Sequence, residues 1–106
     1  MKIPYLDCCP EPDVEAVKVL LDTDREQERL CLCVRCGKHW FHRFLRIPGP
    51  NLETTWYSPV QPGEAQRILE ADGRPDLSFL LSRPCFREER GEAQRMRGQP
   101  DRPCYG

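Results

Sequence analysis

Between Val14 and Asp22 the apolar residues Val14, Ala16, Val17, Val19, Leu20 and Leu21 fall at partly alternating positions. The β-branched content of this run predicts a strand, with a short helix as the competing reading. The polar stretch Asp22-Thr23-Asp24-Arg25-Glu26 reverses the chain, although Thr23 with Glu26 also has capping-box spacing. From Glu28 to Val34 the alternation is cleaner: Leu30 and Leu32 share one face and Cys31 and Cys33 the other, as in a half-buried strand. After Gly37, the aromatic-rich run His39–Ile47, bounded by Pro48-Gly49-Pro50, predicts a third strand.

Downstream the pattern changes period. Residues 48 to 61 read as a proline-rich loop whose Trp56 and Tyr57 pack back on the sheet. Gln61-Pro62-Gly63-Glu64 opens a helix with Ala65, Ile68 and Leu69 as its apolar stripe and Gly73 as its stop. Asp76 caps a second short helix that turns Leu77, Leu80 and Leu81 inward, with Phe79 adding bulk. From Cys85 onward charge dominates, and Phe86, Ala93 and Met96 are the apolar residues before a tail, Gln99 to Gly106, expected to be disordered or held by a partner. Upstream, Ile3-Pro4, Cys9-Pro10 and Glu11-Pro12 keep residues 1 to 13 extended and irregular. The expected fold is α+β: a three-stranded antiparallel sheet in residues 1–47, a loop with two short helices in 48–84, and a charged, flexible tail in 85–106.

A chain of 106 residues, 39% hydrophobic and 31% charged, is one small domain with a thin core, for which a metal staple would supply missing stability. Met1-Lys2-Ile3-Pro4-Tyr5 lacks the apolar run of a secretory signal, and nothing approaches the roughly 20 apolar residues of a membrane span, so a cytoplasmic protein without a membrane partner is expected. In a reducing compartment the seven cysteines read as metal ligands before they read as disulfides.

Cys33-Val34-Arg35-Cys36-Gly37 has the spacing of a metal knuckle. Two thiolates two residues apart reach one ion, the glycine accepts the positive φ of the turn, and the turn amides point at the sulfurs. Zinc is the expected ion, with Cys8 and Cys9 completing the set. Adjacent cysteines diverge along an extended chain, so both reach one ion only if the backbone bends between them. Cys31, His39, His42 and Cys85 are the reserve ligands. Residues 8 to about 47 resemble the zinc-ribbon class, which implies two knuckles clamping one zinc above a three-stranded sheet. The second knuckle matches that class; the first has adjacent cysteines where the class has them two residues apart.

The formal charge of −1 conceals segregation. Residues 1 to 28 carry eight acids against three bases, and residues 29 to 50 carry five bases and no acid. Arg35, Lys38, Arg43 and Arg46, with Trp40, make a candidate contact surface for a partner or a nucleic acid, whereas a phosphate-gripping domain usually carries a larger basic excess. Cys33 and Cys36 also have thioredoxin-like spacing, but that motif opens a helix and here an aromatic strand follows. The sequence therefore points to a non-catalytic zinc-binding module whose partner is another protein, as in an adaptor, inhibitor or immunity-type protein. A nucleic-acid-binding zinc ribbon is the alternative, and a thiol redox protein comes third.

Overall fold

The alternating segments do become strands, but twice as many as expected. The computed structural model describes residues 1–47 and 52–98. In chain order the elements are β1 (Val14–Asp22), β2 (Glu26–Cys33), β3 (His39–Ile47), β4 (Leu52–Val60), α1 (Pro62–Glu70), α2 (Ser78–Leu81), β5 (Cys85–Glu89) and β6 (Glu92–Met96). The strands form one antiparallel sheet in the order β1-β2-β3-β4-β5-β6. The three-stranded sheet followed by helices and a flexible tail is thus corrected: the expected loop contains β4, and the expected tail contains a hairpin. Pro48-Gly49-Pro50 and the segment Gln99 to Gly106 lie outside the described residues.

The missed strands have identifiable causes. In β4 the β-formers Thr54, Thr55, Trp56 and Tyr57 outweigh Pro59, which pairs with Trp40 of β3 but lies beyond the stretch Thr54–Tyr57 that pairs with β5. β5 and β6 join through Arg90 and Gly91, both at positive φ (55° and 80°), as a two-residue hairpin turn that follows strand twist requires. Gly91 supplies that conformation freely, whereas Arg90 adopts it without any sequence signal. β6 is nearly all exposed and polar, which suits a sheet edge.

The sheet is covered on both faces. On one, Leu20, Leu30, Phe41 and Val60 pack with Ala65 and Ile68 of α1 and with Leu77 and Leu80, and Leu45, Trp56 and Cys85 extend that layer. On the other, Val14, Cys31, Cys33, Trp40 and Tyr57 lie beneath Ile3 and Leu6 of the N-terminal segment. β2 is therefore buried on both faces rather than half-buried. β1 serves both layers because register shifts between Ala16 and Lys18, and again between Val19 and Leu21, move its side chains across the sheet.

Polar groups fasten the helical layer. Lys18 Nζ donates to the carbonyls of Ile68 and Ala71, both at 2.7 Å, satisfying the C-terminal end of α1. Buried Glu28 receives a bidentate pair of hydrogen bonds from Arg74. Glu64 accepts from Arg83 through both oxygens, at 2.7 and 2.9 Å, and its Oε1 also accepts the Gln61 N–H at 2.9 Å. The Arg83 guanidinium, with that backbone N–H, holds the Glu64 carboxyl down at about 2.

Phe41→Ala removes a ring at the centre of the helical layer and should cost about 3 to 5 kcal/mol in urea unfolding. Glu64 titrates lower in the folded chain than its ordinary 4.5, so its contribution is fully present above about pH 4.5 and vanishes as pH falls towards about 2. Glu64→Gln should lower the melting temperature at pH 7, with the gap to wild type closing between those two pH values. A gap that stays constant down to pH 2.5 would contradict this assignment.

Candidate metal centre

The knuckle forms the connection between β2 and β3. Cys33 N–H donates to the Lys38 carbonyl and Gly37 N–H to the Cys33 carbonyl, both at 2.8 Å, and Gly37 takes φ +82°. A larger residue would be strained at that φ. The N-terminal segment reaches the knuckle as a closed loop. Its ends meet where Val14 N–H donates to the Met1 carbonyl at 2.8 Å and the Met1 ammonium donates to the Asp13 carboxylate at 2.9 Å and the Val14 carbonyl at 3.0 Å. Val34 N–H donates to the Asp13 carbonyl at 2.8 Å, which fixes the base of the loop beside the hairpin tip. Ile3 and Leu6 anchor its underside in the core, and bends at residues 8–11 swing Cys8 and Cys9 toward Cys33 and Cys36.

The sulfurs of Cys8, Cys9, Cys33 and Cys36 all lie within 4.8 Å of one another, and Cys9 Sγ stands 3.8 Å from Cys33 Sγ. A tetrahedral zinc with bonds near 2.3 Å would hold its sulfurs about 3.8 Å apart. The bend that the sequence required between Cys8 and Cys9 is present, so both side chains converge. Four close cysteines can hold a metal ion.

The electrostatics favour thiolate unevenly. Desolvation opposes ionisation of Cys33, but backbone N–H groups at Asp13, Cys36 and Arg35 outweigh it and bring the thiol down to about 6. Burial pushes Cys8 up to about 12, reinforced by the Cys36 and Cys33 sulfurs and opposed by the Trp40 indole. Burial and the same two sulfurs raise Cys9 as well. Four sulfurs this close cannot all carry charge unaided, and a divalent ion is what would let them. Trp40 Nε1 is buried and makes no hydrogen bond of normal geometry among the described residues, yet it acts on Cys8 in the direction that stabilises a thiolate. An indole N–H beside a metal-bound sulfur has a partner that a neutral thiol scarcely provides.

The reserve ligands lie elsewhere. Cys31 is on the same sheet face as Cys33, one pair further from the tip, and is buried under the N-terminal loop. His42 is a further pair along that face, stacked on Tyr57 at 4.7 Å, and burial with the Arg29 charge takes it down to about 4. His39 and Cys85 belong to the opposite face by register, and Cys85 packs with Leu45 and Trp56.

The proposed contact residues are dispersed too. Trp40 is 1% exposed and packs on Phe86. Arg43 is buried, 3.6 Å from Glu26 and over the Trp56 ring. Arg46 pairs with Glu53 at 3.1 Å, and Arg35 reaches Glu11 at 3.4 Å. Lys38 stays at the knuckle, where its carbonyl accepts from Cys33. Sequence reasoning missed Asp13 and the Met1 ammonium, which position the cysteine loop; no local pattern marks a pairing that appears only when the loop closes.

Among the described residues no helix is long and apolar enough to cross a membrane. In comparisons with known proteins no family model matches the chain, and neither a curated protein nor a solved structure matches it.

Proposed function

We propose that this chain is a non-catalytic module in which one zinc ion, bound by Cys8, Cys9, Cys33 and Cys36, fastens the N-terminal loop across the sheet so that the assembled surface can bind another protein. The observation that carries the metal half of this reading is the mutual closeness of the four sulfurs, drawn from two segments far apart in sequence. Zinc suits an all-cysteine tetrahedron, and a saturated sulfur shell leaves no open position for substrate, which favours a structural over a catalytic ion.

The protein-binding half rests on what remains at the surface. The knuckle tip presents Val34, 50% exposed, beside exposed Arg35 and Cys36, and β1 presents Val17 and Val19 along the sheet edge. Apolar side chains grouped at a rigid tip and an open edge suit a protein surface better than a phosphate chain. The nucleic-acid alternative draws on Trp40 and Arg43, which are buried, and on Arg35 and Arg46, which face carboxylates.

Native mass spectrometry of protein purified with zinc should give one ion per chain, and Cys33→Ser or Cys36→Ser should release it and lower stability by several kcal/mol. Full zinc retention by both single variants and by Cys8→Ser would overturn the ligand set. Fluorescence anisotropy with a labelled single-stranded oligonucleotide should give no saturable binding. Affinity that weakens steeply with salt would instead favour the nucleic-acid reading.

A further inference from the structure

Beside the cysteine loop, on the same sheet face, the protein has a cleft of about 450 Å³ that the metal-centre reading does not use. Its floor is the sheet itself: Arg29 of β2, His42 and Phe44 of β3, Tyr57 of β4 and Glu88 of β5 all point to this face by register. Its wall is the N-terminal segment, through Ile3 and Tyr5. The volume lies in the range of small-molecule sites.

The charges in this cleft are disposed unusually. Among the described residues Arg29 has no carboxylate within ion-pair distance, and its Nη2 donates to the neutral Gln27 Oε1 at 2.8 Å. Glu88 likewise has no hydrogen-bond or ion-pair partner there. The two cannot neutralise each other directly: β2 and β5 are three strand spacings apart, about 14 Å. Between them lie rings, with His42 and Tyr57 stacked at 4.7 Å and 26° and Phe44 alongside. Tyr5 adds a buried hydroxyl without a hydrogen-bond partner among the described residues. A half-buried cation and a half-buried anion, neither neutralised by a neighbouring side chain among the described residues, thus stand at opposite ends of an aromatic floor.

From this placement we infer that the cleft binds a small elongated zwitterion: a carboxylate at Arg29, a flat apolar body over Phe44 and the His42–Tyr57 stack, and an ammonium at Glu88. The guanidinium receives the carboxylate as a fork, and the rings take the body by stacking. Burial and Arg29 hold His42 neutral near pH 7, so its ring offers an uncharged surface to the ligand. The site is separate from the cysteine cluster, so its test does not depend on which metal the cluster holds.

The probes are 6-(aminomethyl)-2-naphthoate, 2-naphthoate and 2-naphthylmethylamine, titrated into the full chain by calorimetry and followed by amide and side-chain NMR. The zwitterion should bind saturably, at least about tenfold more tightly than either single-charge probe, and should shift the His42, Phe44 and Tyr57 resonances. Arg29→Gln should weaken the zwitterion and 2-naphthoate about tenfold or more while sparing the amine. Glu88→Gln should weaken the zwitterion and the amine while sparing 2-naphthoate. Neither residue is a member of a core cluster, and an unchanged amide spectrum of each free variant establishes that it is folded. If either variant misfolds, the wild-type comparison of the three probes decides. Absence of saturable binding, equal affinity for all three probes, or shifts confined to residues outside the cleft would overturn the inference.

Discussion

Convergence of Cys8 and Cys9 with Cys33 and Cys36 is the constraint on which the cysteine-bearing half of this molecule depends. It joins a proline-stiffened loop, which has little regular structure of its own, to the tip of the β2–β3 hairpin. Beneath that junction Ile3 and Leu6 cover Cys31, Trp40 and Tyr57, so part of one face of the sheet is covered by a segment that has only a thin apolar underside. Backbone pairing at Met1, Asp13 and Val14 closes the base of the loop, and its far end carries the sulfurs beside exposed ion pairs from Asp7 to Arg95 and from Glu11 to Arg35. A metal bond there would do what apolar burial cannot in so short a segment.

The two faces of the sheet are held in different ways. The helical face is a conventional apolar layer, strengthened where Lys18, Glu28 and Glu64 meet backbone carbonyls or arginines. The opposite face is covered only in part. Where the loop ends, aromatic and charged side chains of β2, β3, β4 and β5 are left lining an open cleft. The N-terminal segment that carries Cys8 and Cys9 supplies one wall of that cleft through Ile3 and Tyr5.

Much of the cysteine cluster was legible because its signals are local. Cys33, Cys36 and Gly37 announce a knuckle by spacing alone, and the need for a bend between Cys8 and Cys9 follows from strand geometry. Helix α1 was legible for the same reason: Pro62 at its start and Ala65 with Ile68 on one face are features of adjacent turns. The sheet was underestimated where the deciding information is long-range. β4 is a strand because β3 and β5 flank it, and Pro59 only looked disqualifying until its position beyond the β5 pairing was fixed. β5 and β6 are short and carry charge at half of their positions, and β6, at the sheet's edge, lacks the apolar alternation that marks a buried strand. The aromatic-basic run misled in the opposite sense, since Trp40 and Arg43 belong to opposite faces of β3 and both are buried.

X-ray absorption at the zinc edge on the purified protein tests the four-cysteine site without an intermediate step, because it reads both the identity of the ion and the atoms bound to it. A single shell of four sulfurs near 2.3 Å is expected. A shell containing nitrogen or oxygen, or a folded protein that carries no zinc when supplied with it, would contradict it.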